Sequence, residues 1–491
     1  MDMEVIIAID QGTSSTRAMA FDLNGHCLAT AQKSIQQFYP HNGWVEQDAV
    51  ELFDKTFEVL MAVVSQMQQV SNNILAIGIT NQRETTVMWD KANSAPVHPA
   101  IVWQDRRTSE ACKHYQAHDQ IIKQKTGLCV DPYFSASKIQ WILQNNEQAK
   151  ILASKKQLAF GTIDSYLIWR LTNGKSHLTD ITNASRTLLY NIAKKQWDPQ
   201  LLDLFEIPCH ILPTVLASDG AFGCVEIGGD SIPITGVVGD QQAAMVGQSC
   251  FARGDTKITF GTGAFLMQNT GSEILYSQHL LSTIAYQTKH EFAYAVEGSI
   301  FNAGTIVKWL RDQLGLIDSA KDSEKAIQSI SDNGGVYFVP AFTGLGAPYW
   351  QPDVRATIVG LQLDTGKAHV IRAALESIAY QTRDLIEAMV AEIGASLTEL
   401  KVDGGMCVNR WLMQFISDLC QLKLYKPVCS ELTAIGAAMM ACVGKGVVER
   451  LDDLKHWSIT DWQLTPQCQL EMQYKQWQTV VARTCLPACG K

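Results

Sequence analysis

Two short stretches carry the residues best suited to chemistry. The first, IAIDQGTSSTRAMAFD over residues 7–22, ends an apolar run at Asp10. It continues through Gly12, Thr13, Ser14, Ser15, Thr16 and Arg17 before a second apolar run begins. Glycine lets backbone N–H groups approach a ligand closely and the hydroxyls add donors, so such a loop suits an oxygen-rich anion. The same residues also make an ordinary hairpin turn, and this stretch alone leaves both readings open. The second stretch, TKITFGTGAFLMQNTG from Thr256, repeats the pattern about 250 residues later: apolar run, Gly261-Thr262-Gly263, apolar run. Neither is a P-loop. The only Gly-Lys-Ser is Gly174-Lys175-Ser176, and Trp169 stands where that motif needs its first glycine. Two Gly/Thr hairpins facing each other across a cleft can nonetheless hold a polyphosphate between them. Asp10 is then placed to hold Mg²⁺ through water.

Three further places offer acceptor or base chemistry. Asn81-Gln82-Arg83-Glu84 follows a strand end, where Arg83 donates and Glu84 accepts, so the pair can grip adjacent hydroxyls; a local surface ion pair is the plainer reading. Asp240 follows Val237-Val238-Gly239 and precedes a helix, as a general base or as a helix N-cap. Gly405, in a DGG turn, either exposes bare backbone to a ligand or simply turns a strand into a helix.

The elements that must position these residues alternate between strand and helix. An apolar strand, the hairpin, a second strand and a third over 27–34 precede a helix starting at Asp48 as N-cap. That helix carries an apolar stripe of Val50, Phe53, Phe57, Leu60, Val64 and Met67, and stops at Asn72-Asn73. The spacing predicts helices over 135–153, 162–171, 302–314, 369–393, 409–419 and 433–443, with strands over 74–80, 281–286 and 400–403. Two similar α/β halves, 1–246 and 247–491, imply a duplicated fold with a cleft between them, the boundary falling near 245–254.

Composition narrows the function classes. The 491 residues are 46% apolar and 18% charged, a globular balance too long for one ordinary core. A net charge of −9 without a basic stripe argues against nucleic acid or a membrane surface as partner. No apolar run is long enough for a membrane span. The N-terminus carries acids at Asp2 and Glu4, so the expectation is no signal peptide and a cytoplasmic protein. The 13 cysteines are odd in number, scattered and free of CxxC pairs, which reads as reduced thiols, Cys485 and Cys489 included. Cys112, His114 and His118 lack a well-defined zinc set.

The ordered motifs DQGTSSTR, GWVEQD, GITNQRETTVMWD, AIVWQDRRT, DPYFSASKIQWIL, DITNASRTLLYNI, GVVGDQQAAM, FGTGAF and KVDGGMCVNRWLMQF resemble the FGGY family of carbohydrate kinases over about residues 4–450. Within it they resemble most the members that phosphorylate glycerol. The resemblance implies an actin/hexokinase-like (ribonuclease H-like) ATPase fold and Mg²⁺-dependent phosphoryl transfer from ATP to glycerol. It implies that Thr13, Ser14, Ser15 and Arg17 contact the ATP phosphates, with Thr262 from the other half, and that Gly304, Lys308, Gly405 and Asn409 surround the nucleotide. Arg83, Glu84, Trp103, Tyr133, Asp240 and Gln241 are implied for glycerol, with Phe265 as an apolar wall, Asp240 as base, Asp10 and Asp240 toward the metal, and a homo-oligomer. The family usually has Gln at Lys308. A basic inhibitor loop of some relatives corresponds here to residues 228–233, which lack arginine, and the tail after about Trp457 matches poorly. Two rivals share the scaffold. One is a family kinase for a longer polyol or a ketose. The other is an actin-like ATPase that drives assembly, in which Arg83, Glu84, Trp103, Tyr133 and Asp240 have no common purpose.

Overall fold

The computed structural model describes residues 3–69, 73–351, 353–394 and 396–485; Asn72 and Cys489 lie outside them. The first half builds a sheet from β1 (Glu4–Gln11), β2 (Ser15–Asp22), β3 (Cys27–Ser34), β4 (Asn73–Asn81), β5 (Gly223–Ile227) and β6 (Asp230–Gly239), in the order β5-β6-β4-β1-β2-β3. The second half builds one from β7 (Thr256–Phe260), β8 (Ala264–Gly271), β9 (Leu281–Gln287), β10 (Phe292–Ile300), β11 (Glu399–Asp403), β12 (Lys423–Pro427) and β13 (Thr460–Leu464), in the order β9-β10-β8-β7-β11-β12-β13. With β9 set aside, five strands superpose in order, β3-β2-β1-β4-β6 on β10-β8-β7-β11-β12, and the added edge strand comes before its neighbour in the first half (β5) and after it in the second (β13). In both, the first strand pairs antiparallel with the second and parallel with the fourth, and the outermost pair is antiparallel. The duplication expected from the two hairpins is therefore present in the topology.

Burial explains the sequence pattern. Val5, Ile6, Ile7, Ala8 and Ile9 of β1 are all fully buried, because helices cover both faces of the sheet and leave no solvent side to alternate with. One cover is α1 (Ala49–Gln69), whose Asp48 cap is as expected: its carboxylate accepts from Val50 N at 2.8 Å. The stripe differs. Val50 is exposed, while Leu52, Val59 and Val63 are buried beside Leu60, Val64 and Met67. The predicted helix over 135–153 is two, Ser135–Asn145 and Glu147–Ser154, because Asn146 takes an extended backbone and caps the second through Ala149 N.

The two halves are joined by a pair of equivalent helices. α2 (Asp240–Gly247) follows β6, and a helix over Leu432–Lys445 follows β12 in the same topological place. Numbering α3 (Gly304–Asp312), α4 (Lys367–Ile393) and α5 (Arg410–Cys420) between them makes the latter α6. α2 and α6 cross at Gly436, where an added Cβ would overlap the Ala243 carbonyl, and at Gly247, where it would overlap that of Leu432. α6 also lies on the first sheet, with Gly78 against Ala437 and Gly236 against Ala441. Ile6, Ala8, Val238, Ala243, Met267, Ala295 and the apolar residues of α6 share one core cluster, so the two sheets are held by a common interior.

Gly436→Ala separates two physical terms. Intrinsic helix propensity favours alanine by about 1 kcal/mol, whereas overpacking costs about 1–3 kcal/mol. The expected outcome is a lower urea midpoint for the variant; a midpoint at or above that of the parent would show that the crossing is not sterically limited.

Candidate active site

The parallel strands β1, β4 and β6 lie side by side with Gln11, Asn81 and Gly239 in register. Asp10, Arg83, Glu84 and Asp240 therefore emerge at one carboxyl edge, where open α/β sheets bind ligands. A Cβ on Gly239 would sit 2.9 Å from Cγ and Cδ of Arg83, so glycine there leaves room for the arginine stem. Arg83 and Glu84 are buried, which removes the reading of a surface ion pair. Arg83 donates Nη1 to Glu297 Oε2 at 2.6 Å and Nη2 to Glu297 Oε1 at 3.0 Å, a bidentate pair to β10 of the other half. Its Nη2 also reaches the Tyr133 hydroxyl at 3.3 Å, and its Nε lies 3.4 Å from Asp240 Oδ1 and 3.7 Å from Glu84 Oε1. Arg186 completes the ring by donating Nε to Glu84 Oε1 at 2.7 Å and Nη2 to Glu297 Oε1 at 3.0 Å. Glu84 is held at φ +43°, a left-handed conformation uncommon for such a side chain.

Asp240 is the first residue of α2, and Gly239 takes the N-cap position, so capping is not what its carboxylate does. Its Oδ1 accepts from Gln241 N at 2.7 Å, and 27% of the side chain is open to solvent. Desolvation pushes its pKa up to about 6; the charges of Glu84 and Asp10 add to this, while Arg83 and the Gln241 N–H oppose it. Asp10 is also raised by burial, against a hydrogen bond from Thr433 Oγ1 at 2.8 Å and the charge of Arg17. No group of three or more metal-ligating side chains occurs among the described residues, Cys112, His114 and His118 included. Two carboxylates at one strand edge, both raised by burial, suit a hard cation that keeps its own waters.

An aromatic wall closes the other side. Trp103 meets Tyr133 edge-on at 5.7 Å and Phe265 at 6.1 Å. Trp103 Nε1 donates to Thr13 Oγ1 at 2.9 Å, which ties the wall to the first hairpin. Phe265 sits in the second hairpin opposite Thr259, three residues from Thr262. The two hairpins thus flank the same tryptophan. Ser14 is exposed at the first tip, Ser15 Oγ accepts from Gln32 at 3.0 Å, and Arg17 is paired with Glu431 of the second half. Thr262 is exposed; its carbonyl accepts from Ala303 N at 3.0 Å and Thr305 N at 3.1 Å, so α3, with Gly304 at its start and Lys308 exposed on its surface, grows out of the hairpin. Of the two glycines after β11, Gly404 is the one the backbone requires, at φ +95° and pressed on Phe260, while the space a Cβ would occupy on Gly405 is open. Asn409 caps α5, accepting from Leu412 N at 2.9 Å.

Residues 5–247 match the model of the FGGY family of carbohydrate kinases, N-terminal domain, and residues 256–444 match the C-terminal domain. The chain belongs to the FGGY family of carbohydrate kinases. It is 47% identical to the glycerol kinase of Alcanivorax borkumensis and 48% identical to that of Shewanella pealeana, each over 99% of this chain and 100% of the relative. Among solved structures it resembles Plasmodium falciparum glycerol kinase with ADP, at TM-score 0.91 and 36% identity over 99% of both chains. A xylulose kinase from Lactobacillus acidophilus, at TM-score 0.85 and 20% identity over 98% of this chain and 97% of that one, shares the fold. The architecture is accordingly the two-domain, actin/hexokinase-like FGGY fold.

Two members of this FGGY site escaped the sequence reading. Arg186 lies inside DITNASRTLLYNI, one of the motifs that carry the family resemblance, where no local pattern marks the arginine for the site. Glu297 is the one charge in the otherwise uncharged strand FAYAVEGSI, and that isolation was the available signal. Burial alone would raise the pKa of Glu297, but Arg186 and Arg83 more than offset it and hold it at about 2. A carboxylate depressed in the fold stabilises above its unfolded pKa, and that contribution is lost as pH falls toward the folded value. Glu297→Ala leaves two buried guanidinium groups without it and is expected to cost about 3–5 kcal/mol. It is also expected to remove part of the steepness of acid unfolding between about pH 4.5 and 2. Urea titrations at neutral and acid pH read both; a loss under about 1 kcal/mol at neutral pH would contradict the pairing.

Proposed function

We propose that this FGGY kinase transfers the γ-phosphoryl group of MgATP to a terminal hydroxyl of glycerol, giving ADP and glycerol 3-phosphate. The observation that carries the reading is the Asp240 carboxylate. It is solvent-accessible, 3.4 Å from the Arg83 guanidinium, and in the same buried cluster as Glu84. A triol needs donors and acceptors close together, and a site with built-in polar groups rejects analogues that leave them unpaired. Arg83 supplies donors, Glu84 an acceptor, and Trp103, Tyr133 and Phe265 a wall that excludes longer sugars. The names and full-length match of the bacterial relatives support glycerol over a longer polyol or a ketose.

In phosphoryl transfer the transition state is largely dissociative, so alignment and charge neutralisation do most of the work. An alcohol is far less acidic than a carboxylic acid, so Asp240 does not ionise it beforehand. It orients the hydroxyl and takes its proton as the new P–O bond forms. A pKa of about 6 keeps it mostly ionised at neutral pH. Thr13, Ser14, Ser15 and Arg17 on one hairpin and Thr262 on the other hold the phosphates, with Arg17 leaving Glu431 to do so. Gly304, Lys308, Gly405 and Asn409 border the nucleotide. Asp10 and Asp240 would hold the Mg²⁺ of MgATP through water, and the cation would supply neutralisation of phosphate charge. Domain closure excludes water and limits hydrolysis. A division at 1–246 and 247–491, a cytoplasmic location and a homo-oligomeric state belong to the same reading; no helix among the described residues is long and apolar enough to cross a membrane.

The test is ADP release by the purified protein with glycerol, xylulose, ribulose, erythritol or no acceptor. Glycerol is expected to give by far the highest kcat/KM, and equal turnover without acceptor would contradict the proposal. Asp240→Asn is expected to lower kcat on the order of 10²–10⁴-fold with a modest change in glycerol KM. The parent's kcat is expected to fall below about pH 6, where Asp240 becomes protonated; an acid limb retained unchanged in Asp240→Asn would assign it to another group.

A further inference from the structure

Gln241 has one amide and a buried lysine beside it. Lys257 Nζ donates to Gln241 Oε1 at 2.7 Å, and among the described residues Gln241 Nε2 donates to no protein group. Lys257 is itself fully buried in β7 and gives a second hydrogen bond to Thr259 Oγ1 at 2.9 Å. Within the described residues it has no carboxylate at ion-pair distance. Burial lowers its pKa, opposed by the more distant charges of Asp403, Asp240 and Glu297. An ammonium left in a protein interior without a direct counter-ion is costly. Its place in the sheet is specific. Lys257 pairs with Met267, which pairs with Glu297, and Thr259 pairs with Phe265, so Lys257 projects from the same face as the wall and the carboxylate of the acceptor site. The contact also crosses from one half to the other directly beside Asp240.

We propose that Lys257 is a positioning residue that commits Gln241 to reading the acceptor as a hydrogen-bond donor. An ammonium only donates, so the atom it meets must be the amide oxygen. The amide cannot turn over without setting its NH₂ against the lysine. Nε2 is therefore presented to the acceptor pocket next to the accepting carboxylate of Asp240. A donor beside an acceptor matches a pair of neighbouring hydroxyls, one accepting and one donating. The inference rests on the reading of Gln241 as part of the acceptor site.

The test is a double-mutant cycle of Lys257→Met and Gln241→Ala, read as glycerol-dependent ADP release at saturating ATP, with ADP binding and thermal unfolding as checks on the fold. Lys257→Met is expected to raise glycerol KM on the order of 10–100-fold with a smaller change in kcat. In the Gln241→Ala background the same substitution is expected to change kcat/KM by less than about 3-fold, since no amide remains to orient. Gln241→Glu keeps the lysine contact as a salt bridge but replaces the donor with an acceptor. It is expected to raise glycerol KM with the fold intact, and so carries the test if Lys257→Met does not fold. Equal losses in both backgrounds, or parental KM values for Lys257→Met or Gln241→Glu, would overturn the proposal. A parent protein without glycerol-dependent turnover would overturn the proposed function instead, a separate and recognisable failure.

Discussion

The bidentate pair between Arg83 and Glu297 is the interaction on which the site depends. Two charges buried this completely lose their hydration, and attraction repays that loss only when the geometry is good and the remaining donors and acceptors are used. Here they nearly all are. Glu297 takes both guanidinium groups, and Glu84 takes Arg186 and lies close to Arg83. One partner lies at the end of the first sheet and the other inside the second, so the pair forms only when the halves meet in one arrangement. The steric limit at Gly436, Gly247, Gly78 and Gly236 fixes that arrangement independently, by letting backbone approach backbone.

From this follows the division of labour in the cleft. The first half contributes the strand ends, where side chains can point past the sheet into open space: Asp10, Arg83, Glu84 and Asp240. The second half contributes a sheet face carrying Phe265, Glu297 and Lys257. α2 lies between them and belongs to both, with Asp240 at its open end and its body in the core the sheets share. Neither half alone has both the acceptor and the second hairpin. A duplicated fold has thus produced unlike halves, one bringing strand ends to the cleft and the other a sheet face.

How much of this the sequence shows depends on how local the determining physics is. The hairpins, the helix starts and the alternation of strand and helix are set by residues within about one turn of each other, and these are legible. Asp240 and the Arg83-Glu84 pair stand out because strand ends are legible too. Glu297 was missed because its partner Arg83 is 214 positions away, and no local pattern marks a long-range ion pair. The stripe of α1 is legible at Leu60, Val64 and Met67 but not at Val50, which is exposed, because helical period alone does not say how wide a flank of the helix meets the sheet. The close approach of Gly404 to Phe260 is not legible in the sequence, because Phe260 lies on another strand.

The central claim is that both halves converge on a single reacting hydroxyl. A crystal structure with glycerol and a non-hydrolysable ATP analogue bound together tests it most directly. The account predicts glycerol enclosed by Trp103, Tyr133 and Phe265, one terminal oxygen within hydrogen-bond distance of Asp240 and aimed at the γ-phosphate, and the phosphates spanning Thr13 and Thr262. Glycerol bound away from Asp240, or phosphates resting on one hairpin alone, would contradict it.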